Sequence, residues 1–96
     1  MIIKDLSGIR IGYSEGNDIK NASGNRVGYV DEYCIKDSSG SRIGYVEGND
    51  MKNSFGVRVG YIDGNYIKDT SGIRLGYIEG EGGNIIIAGL AFLTLL

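Results

Sequence analysis

Short bursts of alternating residues recur along this chain, each followed by polar residues and a glycine. In Arg58-Val59-Gly60-Tyr61-Ile62 apolar and other residues alternate with period two, and β-branched and aromatic types fill the burst. That pattern predicts a strand with one buried face. The stretch Asp69-Thr70-Ser71-Gly72-Ile73 sets polar residues ahead of a glycine, which suits a type I turn closed by a left-handed Gly72. Glycine belongs there because a Cβ is penalised at positive φ. The stretch from Tyr61 to Tyr66 reads in the same way, with Gly64 as the left-handed residue.

The bursts belong to a repeat. Five units of 16 residues fill positions 3–18, 19–34, 35–50, 51–66 and 67–82. Lysine stands at 4, 20, 36, 52 and 68, arginine at 10, 26, 42, 58 and 74, and a Gly-Tyr pair ends at 13, 29, 45, 61 and 77. A longer beat overlies this one. The residue after each lysine alternates Asp5, Asn21, Asp37, Asn53, Asp69, and units one and three agree at 13 of 16 positions against 7 for units one and two. Two alternating environments or a duplicated pair of units both account for it. Sixteen residues with two glycine turns leave room for two short strands and no helix, so the fold class is all-β. The expected architecture is an antiparallel meander of five two-stranded repeats, a single-layer or flower-like sheet completed by an apolar C-terminal segment.

If both loops carry a left-handed closing residue, Val59, Tyr61, Ile67, Leu75 and Tyr77 share one face, and Arg58, Gly60, Ile62, Lys68 and Arg74 the other. A two-residue turn at Asp63-Gly64 would instead move the tyrosines from side to side between units. The glycine before each tyrosine marks a close approach of another group. A single layer cannot stand alone. The natural cover is residues 83–96, a charge-free tail with an expected strand at Ile85, Ile86 and Ile87, followed by Leu90, Phe92 and Leu93 in either an extended or a helical run. Fourteen residues are too few to roof ten strands. Several chains pooling tails and sheets in the core of a symmetric homo-oligomer, a tetramer by preference, is the expectation that follows.

The phrase Tyr66-Ile67-Lys68-Asp69, with Gly72, Arg74, Gly76, Tyr77 and Gly80, resembles the repeat of the four-fold β-flower domain family of small bacterial chains. The likeness extends over residues 1 to about 90, with Glu32 standing where the other units have a turn glycine. It implies petals of β-hairpins about a four-fold centre, and it carries no activity.

Composition narrows the function. The chain has 96 residues, a net charge of −2, no histidine and one cysteine. Cys34 has no histidine to activate it, and near-identical units set no single site apart, so no enzyme, cofactor or metal is expected. A lone thiol and an N-terminus without a long apolar run favour a cytoplasmic setting. A pI near 5.0 argues against nucleic acid, and the 12-residue apolar run at Ile85–Leu96 is too short to span a bilayer and carries no basic residue, which argues against membrane.

Two surface readings remain beside the purely structural one. Lys20, Arg26, Lys36, Arg42, Lys52, Arg58, Lys68 and Arg74 form a ladder of cations, either neutralised by the acids beside the turns or open to a polyanion. Tyr13, Tyr29, Tyr45, Tyr61 and Tyr77 form a column that is either core packing or a stacking platform for carbohydrate. The function expected is therefore a structural module that assembles through its apolar face and tail, with a surface binder as the alternative.

Overall fold

The computed structural model describes residues 1–96. Ten strands follow one another: β1 (Ile2–Asp5), β2 (Arg10–Glu15), β3 (Asp18–Asn21), β4 (Arg26–Asp31), β5 (Cys34–Asp37), β6 (Arg42–Glu47), β7 (Asp50–Asn53), β8 (Arg58–Asp63), β9 (Tyr66–Lys68) and β10 (Arg74–Glu79). Each pairs antiparallel with the next. The last also pairs with the first, Ile3 opposite Ile78 and Asp5 opposite Gly76, so the meander closes into a barrel that has no open edge. The result is a squat ring of 30 × 30 × 19 Å.

Two kinds of loop alternate around it. At one end, each loop is the type I turn expected from the sequence. The Gly8 N–H donates to the Asp5 carbonyl at 3.0 Å and the Asp5 N–H to the Ile9 carbonyl at 2.9 Å, while Gly8 takes a φ of 83°. The Asp5 carboxylate also accepts the N–H groups of Ser7 and Ile9. Asn21, Asp37, Asn53 and Asp69 do the same in their own units. Since an amide oxygen serves as well as a carboxylate here, the alternation of Asp and Asn leaves the turn unchanged.

At the other end only two residues connect the strands. Asp63 pairs with Tyr66, leaving Gly64 and Asn65, and Gly64 at φ 61° occupies the first central position of a type II′ turn. The left-handed glycine was expected, but the loop is shorter than expected, and this overturns the anticipated register. Ile62 now faces Ile67, and Tyr61 faces Lys68. A second irregularity restores the phase. In every unit the pairing slips at the residue after the arginine, as between Ile67 opposite Gly76 and Lys68 opposite Arg74. This β-bulge turns the arginine outward beside the tyrosine three residues later. Two-residue turns alone would have alternated the tyrosines; turn plus bulge keeps all five outside. The inner face therefore carries Gly60, Ile62 and Ile67, and the outer face Arg58, Tyr61, Lys68, Arg74 and Tyr77.

Inside, Ile3, Ile19, Ile35, Met51 and Ile67 form a ring with no exposure, and Val30, Val46, Ile62 and Ile78 form a second one nearer the two-residue turns. The tail fills what remains. Contrary to the strand expected at Ile85–Ile87, residues Asn84–Leu90 form a helix, α1, which continues as a π-helical turn over Ala91–Leu95. A closed sheet offers no edge for another strand, so a segment threaded through the lumen must satisfy its backbone by itself. That constraint overrides the poor helix propensity of three consecutive isoleucines.

The wall glycines receive this plug. A Cβ at Gly44 would lie 2.6 Å from the Lys52 carbonyl oxygen and 2.7 Å from the Phe92 ring. Leu93, Thr94 and Leu95 press in the same way on Gly28, Gly12 and Gly76. Four successive residues thus touch four different units. Neighbouring units of a five-membered ring are about 72° apart, whereas α-helical residues step by about 100°; the wider π turn shortens that step toward the spacing of the wall. The expectation that several chains must pool their tails loses its premise, because Ile87, Leu90 and the partly buried Ile85, Ile86, Phe92 and Leu93 belong to the core of their own chain.

Candidate functional site

With the apolar residues inside, the repeated chemistry lies on the outer wall. Each lysine reaches along the wall toward the two-residue turns. Lys4 meets Glu79, Lys20 meets Glu15 and Lys52 meets Glu47, each at 2.7 Å, while Lys36 meets Asp31 at 3.2 Å and Lys68 meets Asp63. These hydrogen bonds raise the pKa of Lys4, Lys20, Lys36 and Lys52 above the ordinary lysine value. The lysine half of the cation ladder is therefore spent on carboxylates of the same chain.

The arginines divide into two sets. Arg26 and Arg58 bind Asp18 and Asp50, each at 3.0 Å. Arg10, Arg42 and Arg74 have no carboxylate within ion-pair distance, because the position eight residues earlier holds Ile2, Cys34 and Tyr66 instead of aspartate. This is one structural consequence of the longer beat in the sequence. All five guanidiniums lie over aromatic rings: Arg10, Arg26, Arg42 and Arg58 at 4.4, 4.6, 4.8 and 4.6 Å from Tyr13, Tyr29, Tyr45 and Tyr61, and Arg74 at 3.9 Å from Tyr66. Tyr66 in turn meets Tyr77 edge-on with ring centroids 6.5 Å apart.

The tyrosine column is thus neither of the things the sequence suggested. It lies outside the core, and Tyr13, Tyr29, Tyr45 and Tyr61 are roofed by guanidinium while Tyr77 is met edge-on by Tyr66, which removes the flat open row a sugar would stack on. Its hydroxyls point at the loop of the next unit. A Cβ added at Gly24 or Gly40 would stand 3.4 or 3.3 Å from the hydroxyl oxygen of Tyr13 or Tyr29. The tyrosines brace one petal against the next.

Counted along the chain, the half of the ring that ends in bulged loops holds all ten cations and only Asp5, Asp37 and Asp69, whereas the half that ends in two-residue turns holds the other nine carboxylates. The five lysines, Arg26 and Arg58 bridge the two halves through their ion pairs, which leaves Arg10, Arg42 and Arg74 as the uncompensated cations of the bulged half. On the acidic rim, Tyr33, Val46, Glu47, Gly48, Asn84 and Ile85 line an open depression of about 460 Å³, in which the Asn84 amide already donates to the Gly48 carbonyl and the Asn49 side chain. Five hairpins closed about one axis are the deciding geometry, and the model of a family described as 5-fold β-flower protein matches residues 2–86. The chain belongs to the five-fold β-flower family. The resemblance seen in the sequence named the right architecture with the wrong symmetry. The petals number five and come from one chain, where a four-fold centre was expected. Neither the search of curated proteins nor that of solved structures returned a match for this β-flower.

What sequence reasoning missed is the bulge. The signal was present in the spacing: arginine and tyrosine stand three positions apart in every unit, an odd separation that plain alternation assigns to opposite faces.

Proposed function

We propose that this β-flower is a non-enzymatic interaction module that presents its cationic half to a polyanionic partner. The observation that carries this reading is the set Arg10, Arg42 and Arg74, three guanidiniums on the outer wall with no carboxylate partner, beside a lysine row that is fully paired. Stacking on tyrosine holds each guanidinium in place while leaving its N–H donors free for phosphate, sulfate or carboxylate oxygens. The three unpaired guanidiniums attract a polyanion locally to the bulged half even though the net charge is −2.

Retention on heparin-agarose at low ionic strength tests it. The parent protein is expected to be retained and released by salt, and the triple variant Arg10→Gln, Arg42→Gln, Arg74→Gln to elute in the flow-through while still melting cooperatively, at a temperature lowered by the loss of three cation–π stacks of about 0.5–1 kcal/mol each. A parent that is not retained, or a triple variant retained equally, overturns the reading.

A further inference from the structure

Of the seven exposed large hydrophobic side chains of this barrel, Tyr33 in a two-residue turn and Leu96 past the π-helical turn stand apart, and the other five gather in one place. Phe55 is 89% exposed, Ile9 and Ile73 61%, and Leu6 and Val57 58%. All five occupy the type I loops: Leu6 and Ile9 in β1–β2, Phe55 and Val57 in β7–β8, Ile73 in β9–β10. Because β10 pairs with β1, these three loops are consecutive around the ring and form one arc of the bulged rim. The remaining two loops carry Ala22, Ser23 and Asn25, and Ser38, Ser39 and Ser41. The rim is therefore greasy over three petals and polar over two.

The loops themselves do not need these side chains. Their geometry is fixed by the Asx oxygen and the left-handed glycine in all five units alike, and serine, asparagine or alanine stands at the same places in the other two loops. Directly beneath the arc lie Arg10 and Arg74, two of the three guanidiniums without a carboxylate.

Resting on the anion-binding reading above, we infer that the partner is the surface of an anionic lipid bilayer, with the tips of Leu6, Phe55 and Ile73 entering the headgroup–acyl boundary and Arg10 and Arg74 meeting lipid phosphates. Apolar tips rimmed by cations are what an anionic interface accommodates. Charge decides against the other occupants. Two copies meeting rim to rim would set the unpaired Arg10, Arg42 and Arg74 of one against those of the other, and two copies stacked head to tail would lay the tips on a ring of carboxylates. A soluble polyanion would satisfy the arginines and leave the tips in water. Only a surface that is anionic outside and apolar beneath takes both.

Flotation with vesicles of equal parts phosphatidylglycerol and phosphatidylcholine, and with phosphatidylcholine alone, tests the inference. The parent should float with the mixed vesicles only. The variant Leu6→Ser, Phe55→Ser, Ile73→Ser should bind them at least about tenfold more weakly yet keep its heparin retention, since the loops fold with serine elsewhere in the ring. Heparin retention of the parent without flotation, or a tip variant that floats like the parent, overturns the bilayer while leaving the anion reading in place. Loss of both heparin and vesicle binding in the parent removes both. A parent twice the mass of the tip variant by light scattering shows the tips buried between copies and also overturns the bilayer.

Discussion

Glu32 is the one residue other than glycine with positive φ, at 57°. It holds the first central position of the two-residue turn between Asp31 and Cys34, where units one, three and four place Gly16, Gly48 and Gly64 at 60°, 64° and 61°. A side chain there carries backbone strain that glycine lacks, of about 1 kcal/mol. Glu32→Gly is therefore expected to raise the melting temperature by about 4–8 °C in a domain of this size, read by thermal circular dichroism. A second effect at this scale depends on pH. The Ser39 hydroxyl and the loop N–H groups hold the Asp37 carboxyl below its ordinary value of 3.8, and Lys68 does the same for Asp63. A depressed folded pKa contributes stability above the unfolded value and loses it as the pH falls through the folded one. The melting temperature should stay level from neutral pH to about pH 4 and decline below it. Asp37→Asn should flatten part of that decline with little change at neutral pH, because Asn21 and Asn53 accept the same loop N–H groups.

At the scale of the element, the strands and the bulged loops could be read directly from the chain, and the reason is local. Period-two alternation and an Asx residue three positions ahead of a left-handed glycine specify those structures without help from the rest of the molecule. The facing of the strands was not legible in the same way, because it depends on two offsets that cancel, a short II′ turn and a bulge after each arginine. Reading either one alone inverts the barrel. The tail was misread for a different reason. Ile85, Ile86 and Ile87 have the propensity of a strand, and only the enclosed lumen makes them a helix. Burial of that helix also predicts its worth. Leu90 has no exposure and sits among the inner ring, so Leu90→Ala should cost about 2–5 kcal/mol, measured by urea denaturation. The exposed Leu96, one residue past the π-helical turn, should tolerate serine with a change within about 0.5 kcal/mol.

At the scale of the molecule, closure does what the sequence seemed to require of neighbouring copies. Joining β10 to β1 removes both edges, curls the greasy face inward, and reduces the area to be covered until one short helix suffices. The wall glycines make the fit by letting Phe92, Leu93, Thr94 and Leu95 approach the backbone. The candidate site followed the same rule. Its residue types were visible from the columns of lysine, arginine and tyrosine. Which cations are already neutralised was not visible, since that depends on pairings across strands, five residues apart for four of the lysines, across the closing seam for Lys4 with Glu79, and eight residues apart for arginine.

The number five has one more effect. A pattern with two states cannot run around an odd ring without meeting itself out of step. Units five and one, both of the Asp kind, stand side by side at Asp69 and Asp5. Parity alone forces one discordant junction into an otherwise uniform circle, and it falls where the chain's beginning and end of repeat are sewn together. A perfectly regular flower would look the same from every azimuth; this one has a front.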